Sequence, residues 1–350
     1  MTTATPSKTS KADLKTKPSI KATSKNAKTV VESPVEVAME MEVSMMDSVM
    51  MEELVADVME AKDESRLPIK KEKKTKTFEQ LLGDLKAGNS EKVRYNAARV
   101  LGEMGNMEAV EPLIDVLKFD ANGSVRLYAA RALGELGDIR ATEPLIESLR
   151  EDRNVDVRVR AARALGRLGG EEVVMPLVEA LSDTNSQVCM TAADALVEIG
   201  PIAVRPLITS LKHERVNVRC DATRALGELG DATAVQPLVD MLTDDWVNVR
   251  IYAVQSLGKL ADASATEALI EVMLNKEEND LVRAGSAAAL GVFKDARALL
   301  PLRQLIMDAD ELGEIEDTAL KAYKLIMAAN WKGLPGATTP VKKSAQPAKK

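Results

Sequence analysis

Between about residues 77 and 330, apolar positions recur at helical spacing in pairs of short segments. In one pair, Ala141, Leu145, Ile146 and Leu149 share a face while Glu143, Glu147 and Arg150 lie opposite. The next segment places Val157, Ala161, Ala164, Leu165 and Leu168 on one face, and Gly169-Gly170 ends it. Its phrase, Val-Arg-x-x-Ala-Ala-x-Ala-Leu-Gly, begins at Val125 and returns at Val157 and, with Thr223 for the second Ala, at Val218. Looser copies start at Val93, Val188, Val249 and Val282. The pattern predicts eight helical hairpins: 77–105, 107–137, 139–169, 171–199, 201–230, 232–261, 263–294 and 296–330. Proline recurs in the first turn of the leading (A) helix, at Pro112, Pro144, Pro176, Pro206, Pro237 and Pro301, where no intrahelical N–H bond is lost.

Units of about 30 residues cannot bury an apolar face alone and must stack, so the pattern predicts an all-α solenoid of about eight hairpins. Composition agrees. Hydrophobic residues make up 45% of the chain but aromatics only 3%. The core is therefore built from Ala, Leu, Val and Ile, as closely packed helices require. At about 9–10 Å per layer, the stack would be on the order of 80 Å long. The first unit, with Phe78 and no proline, and the last, ending at Trp331, read as caps.

Charge divides the rest. Residues 1–29 carry seven lysines and one aspartate, with almost nothing to bury. Residues 1–76 and the basic segment 333–350 are expected to be disordered tails, leaving 77–332 as the solenoid. Within the first tail, Met39, Val43, Met46, Met50, Leu54 and Val58 make one helical stripe beside many acidic residues, a candidate amphipathic helix at 36–62. The repeat body is acidic, which argues against general nucleic-acid binding. Cys189 and Cys220 are too few for a disulfide framework and read as small buried hydrophobes. No run of about 18 apolar residues suggests a membrane span, and no apolar signal core is present. A cytoplasmic protein is the expectation.

The repeated phrase, with Ala-x-x-Pro-Leu-Ile-x-x-Leu after it, resembles the short HEAT-like repeats grouped with the phycobilisome bilin lyases. The resemblance covers about 77–330 and implies right-handed stacking with the second (B) helices on the concave face. It also implies a ladder between layers, in which Asp six residues before the phrase's Arg pairs with it: Asp120 with Arg126, Asp152 with Arg158, Asp244 with Arg250, and Glu277 before Arg283. An Arg in the first turn of a helix faces the positive end of its dipole and needs an acidic partner. The pattern breaks at Cys189, His213 and Gly88, which predicts an interrupted ladder and a bend around repeats four and five. Related deoxyhypusine hydroxylases hold iron with several His-Glu pairs, whereas this chain has one, His213-Glu214. With a single histidine, a catalytic triad or His-rich metal centre is not expected, and no cofactor is assigned. A bilin-lyase-like chaperone or enzyme accessory role remains the alternative the resemblance implies. DNA binding through the basic tails, as in HEAT-like DNA glycosylases, is less favoured.

What remains is surface. The B-helix face offers Tyr128, Arg131, Arg160, Arg163, Arg167, Arg224 and Tyr252. Arg131 and Arg224 have Glu135 and Glu228 four residues on and read equally well as intrahelical pairs. Arg167 stands where neighbouring repeats have Glu, leaving Arg160, Arg163 and Arg167 as a basic cluster. On the A–B turn ridge most repeats have Asn (Asn122, Asn154, Asn185, Asn279), but Arg215 and Trp246 replace it in repeats five and six. They read either as interface anchors or, for Trp246, as a lid on the turn. These features favour a non-catalytic scaffold binding an acidic or amphipathic protein segment. The 36–62 helix docking on the chain's own arginines is one version.

Overall fold

The computed structural model describes residues 76–308 and 313–330. The candidate helix at 36–62, Trp331 and both tails lie outside the described residues. The described residues hold sixteen helices and no strand. They run as eight A–B pairs: α1 (Phe78–Asp84) and α2 (Glu91–Met104); α3 (Val110–Phe119) and α4 (Gly123–Leu136); α5 (Thr142–Glu151) and α6 (Val155–Leu168); α7 (Val174–Ala180) and α8 (Ser186–Ile199). The second half comprises α9 (Val204–Ser210) and α10 (Val216–Leu229); α11 (Val235–Asp240) and α12 (Val247–Leu260); α13 (Thr266–Leu274) and α14 (Asp280–Phe293); α15 (Leu299–Ile306) and α16 (Glu314–Asn330). Each helix packs chiefly within its own pair or against the next, giving a solenoid with one continuous Ala/Leu/Val core.

Most of the B helices approach closely because a glycine in one faces a small residue in the next. A Cβ on Gly102, Gly134 or Gly166 would sit 2.7, 2.7 or 2.8 Å from the Cβ of Ala132, Ala164 or Ala195. Gly227 meets Ser256 and Gly291 meets Ala322 in the same way. In α8 the equivalent residue is Val197, half-buried, whose side chain occupies the space that this close approach requires. The α8–α10 junction is accordingly the most sparsely packed of the B-helix junctions.

Arginines clamp the layers at the other end of the B helices. Arg126 donates from Nε and Nη2 to both carboxylate oxygens of Asp152, at 2.6 and 2.7 Å. Arg94 holds Asp120, Arg158 holds Asp183 and Arg219 holds Asp244 in the same two-pronged way. Arg250 reaches Glu278 with one prong, at 2.7 Å, leaving its buried Nε without a partner. The pairing differs from the one the resemblance implies. Each of these arginines takes the carboxylate of the following layer and spends Nη1 on a main-chain carbonyl of its own repeat, six residues back for Arg126 (Asp120 O), Arg158 (Asp152 O) and Arg250 (Asp244 O), and five back, at Asn89 O, for Arg94. Those carbonyls end the preceding A helix or turn, where a cation complements the negative end of the helix dipole. Glu277 is not the acceptor; Glu278 is. Gly88 breaks nothing, because the partner of Arg94 lies in the next layer.

Between Cys189 and His213, accordingly, there is no such rung. Cys189 points its Sγ at Asp183 O and Asn185 O, 3.4 Å from each, a weak substitute for a guanidinium. His213 keeps one task of the missing Asp: its Nδ1 accepts the Arg215 N–H at 3.1 Å, as Asp244 Oδ1 accepts the Trp246 N–H. Its Nε2 faces Ser182 Oγ at 3.5 Å. Arg215 spans the gap instead, with Nη1 2.6 Å from Ser182 O.

The rung carboxylates are largely buried. Burial raises the pKa of Asp120, Asp152, Asp183 and Asp244, but the arginine hydrogen bonds and a main-chain N–H outweigh it, so each ends below the ordinary carboxylate value. A depressed carboxylate stabilises the fold above its unfolded pKa, about 3.9, and that stability is lost as pH falls through the folded value. Asp152→Asn leaves the half-buried Arg126 without its counter-charge and is expected to cost about 1.5–3 kcal/mol at pH 7. In urea unfolding against pH, the deficit should shrink below about pH 4, where the wild type loses the same interaction. A deficit that persists undiminished at pH 2 contradicts the rung assignment.

Candidate functional site

The B-helix face is built from three columns of side chains, one column per turn of each B helix. The first runs Tyr128, Arg160, Thr191, Asp221, Tyr252 from α4 to α12; the second Arg131, Arg163, Asp194, Arg224, Gln255; the third Glu135, Arg167, Glu198, Glu228, Lys259. In the first repeats the second and third columns pair within a helix. Arg99 binds Glu103, and Arg131 Nε donates to Glu135 Oε1 at 2.8 Å. Tyr128 stacks on Tyr95 of α2, ring centres 5.1 Å apart, and belongs to the packing of layers one and two.

Layer three breaks the pairing. With Arg167 in place of the glutamate, Arg163 has no acid one turn on, and no ion pair involves Arg163 or Arg167 among the described residues. Arg163 is half-buried and Arg167 exposed. Arg160, one turn earlier, is half-buried and has an interaction of its own. The two unpaired guanidinium groups are the uncompensated charge of the cluster.

Arg224 is not available in the same sense. Its Nη1 is 3.0 Å from Glu228 Oε1, and its Nη2 is 2.8 Å from Asp194 Oδ1 of the preceding layer. Burial works against the Arg224 cation, but Asp194 and Glu228 more than compensate, so its pKa is raised. Arg224 is thus a strut across the α8–α10 junction, where the rung is missing. Beside it, Asp221 is pushed up to about 6, by burial first, against the pull of Arg224 and with the push of Asp194.

On the turn ridge, the Asn column caps helices. Asn122 Oδ1 accepts the Ser124 and Val125 N–H groups, and Asn154, Asn185 and Asn279 cap α6, α8 and α14 likewise. Arg215 and Trp246 occupy the cap positions of α10 and α12 and make no such bond. Trp246 is 57% exposed and does not fold over the turn. The functional reading of these two residues therefore divides: Arg215 bridges layers, while Trp246 stands in solvent.

The three B-face columns carry no charge in α14. Gly285, Ala288 and Val292 fall in register with the three columns, and Leu281 stands where other layers have a polar residue such as Asp156, Gln187 or Asn217, so the outward face of α14 is apolar, with Leu281 and Val292 58% and 52% exposed. Overlaying all the repeats, not only the second to the sixth, reveals it. The cysteines are chemically quiet: burial, then nearby carboxylates, push Cys189 and Cys220 up to about 11. Among the described residues no group of three His, Cys, Asp or Glu is placed to hold a metal ion, and no helix is long and apolar enough to cross a membrane.

Asp221 yields a test with a defined sign. A carboxyl with a raised folded pKa contributes stability below its unfolded value of about 3.9 that is lost as pH rises through about 6. Asp221→Asn should therefore be more stable than wild type at pH 8, by about 1–2 kcal/mol, with the gain vanishing near pH 4. Urea unfolding at the two pH values decides; a loss of stability at pH 8 contradicts the environment described.

Residues 78–154, 142–211, 201–249 and 247–324 each match the family model for HEAT repeats. No curated protein matches the chain. Among solved structures, importin beta aligns with a TM-score of 0.54 at 14% identity, over 71% of this chain and 42% of that one. This likeness shows the fold alone. The complex of CpcE and CpcF of phycocyanin lyase from Nostoc sp. PCC7120 aligns at 24% identity and TM-score 0.39, over 75% of this chain and 98% of that one. Human deoxyhypusine hydroxylase in complex with glycerol aligns at 22% identity and TM-score 0.33, over 72% and 96%. The repeat fold by itself does not distinguish an enzyme from a non-enzyme. Four overlapping matches that together span the described solenoid, on a chain whose repeats share one packing scheme, establish that the protein belongs to the HEAT-repeat family.

Proposed function

We propose that the protein is a non-catalytic scaffold whose B-helix face binds an acidic or amphipathic protein segment. One observation carries the reading. Arg99, Arg131 and Arg224 in the second column are each neutralised by a glutamate four residues on, whereas Arg163 is followed by Arg167 and neither has an acidic partner among the described residues. Two adjacent guanidinium groups on an otherwise acidic body are a local inversion of charge, suited to two-pronged recognition of carboxylates. The solenoid supplies a preformed surface, so the partner bears most of the ordering cost on binding. A partner from the same chain is a finer version: residues 36–62 carry the acid and the Met stripe that such a site would take.

The test is fluorescence anisotropy of a labelled peptide with the sequence of residues 36–62, titrated with the full chain. Arg163→Glu with Arg167→Glu should weaken binding at least about tenfold at low salt, a loss of about 1.4 kcal/mol, and wild-type affinity should fall as salt rises. Equal affinity of the double variant and wild type sinks the reading. If the chain's own segment already occupies the site, Met46→Asp with Met50→Asp in the full chain should tighten binding of the added peptide.

A further inference from the structure

The apolar face of α14 does not stand alone. Leu325 of α16 is 49% exposed, and its Cδ1 lies 3.6 Å from where a Cβ on Gly291 would sit, beside Val292. Leu281, Ala288 and Val292 are seven and four residues apart, one line along a helix, and Leu325 widens that line into the next layer. Scattered apolar side chains are ordinary on a surface, whereas a contiguous group at positions that other layers fill with polar or charged residues is not. Exposed lysines stand on both sides of its C-terminal end. Lys259 lies in the last turn of α12, with only a loose 3.7 Å approach to Glu228, and Lys321 lies one turn before Leu325. At the opposite end, beside Leu281, Asp280 and Glu314 are exposed.

We propose that this patch is the apolar anchor of the B-helix face. It takes one amphipathic helix of a protein partner, with leucine- or methionine-like side chains over Leu281, Ala288, Val292 and Leu325. Charge sets the direction: acidic residues of the partner meet Lys259 and Lys321, and its less acidic end lies over Asp280 and Glu314. The inference rests on the scaffold reading above, and adds a second contact four layers from Arg163 and Arg167. Helix-in-groove recognition of this type reads side chains at i, i+3 or i+4 and i+7, the spacing the α14 line presents. The Val292–Leu325 end supplies specificity through the lysines, and the apolar line supplies the affinity.

The experiment uses the full chain and a labelled synthetic amphipathic helix of about 18 residues, with leucines at the spacing above and glutamates flanking one end. Val292→Asp with Leu325→Asp replaces exposed side chains, so the urea midpoint and helical circular dichroism should match wild type. Peptide affinity should drop at least about tenfold in this variant, and severalfold in Lys259→Glu with Lys321→Glu. A peptide carrying its glutamates at the other end should bind more weakly. No binding to wild type, or equal binding to wild type and Val292→Asp/Leu325→Asp, overturns the proposal. Loss only in Arg163→Glu/Arg167→Glu overturns the patch while the arginine site stands; loss only in the Val292/Leu325 variant keeps the patch and removes the arginines. A dimer in light scattering that dissociates in Val292→Asp/Leu325→Asp would put a second copy on the patch, and overturns the partner assigned here.

Discussion

The structure depends on how closely one B helix can lie against the next. Where Gly102, Gly134 and Gly166 face alanine, the backbones approach to a distance at which even a single added methyl would overlap. That contact excludes water from the Ala/Leu/Val core and fixes the spacing at which an arginine in one layer meets a carboxylate in the next. The rung in turn closes both helix ends: its carboxylate accepts a main-chain N–H at the start of the turn, and the guanidinium covers the last carbonyls of the A helix. Glycine contact and arginine clamp are thus two ends of one geometric condition, repeated at each regular junction.

The α8–α10 junction departs from that condition at several points together. Val197 replaces the glycine, Cys189 and His213 replace the rung, and Arg215 replaces the capping Asn. The 3-10 turns leading into α7 and α9 start from Gly170 and Gly200, without the Asp cap found at Asp138, Asp231, Asp262 and Asp295. The layers are joined instead by Arg215 to Ser182 and by the Arg224 strut to Asp194. With Cys189 and His213 at the rung positions, neither a guanidinium nor a carboxylate is there to form one. In a nearest-neighbour stack each junction contributes its own interface stability, so a weak one lets the two halves of the solenoid open separately.

The eight hairpins were legible in the sequence because every repeat spells the same phrase with the same proline and glycine punctuation. The partners within the ladder were not. Asp120 precedes Arg126 by six residues in the same repeat, yet its carboxylate serves Arg94 and only its carbonyl serves Arg126. A regular repeat makes pairing within a unit and pairing to the next unit look identical, and only the direction of the side chains separates them. The Asn column carried a cap signal that its place before each B helix could have revealed. Of the B-face arginines, Arg131 and Arg224 follow the i, i+4 rule, while the Asp194 strut joins residues thirty positions apart in columns that hold no acid in other layers. The face of α14 was readable from the repeat register, since Ala288 and Val292 stand at positions that most other layers fill with charge.

Amide hydrogen exchange resolved along the chain tests the central claim, that the departures from the repeat at α8–α10 make this the weakest junction of the solenoid. The account predicts that amides of α8 and α10 exchange through openings of lower free energy than those of α4 and α6, and that strengthening conditions for ion pairs do not erase the difference. Uniform protection across α4, α6, α8 and α10 would contradict it.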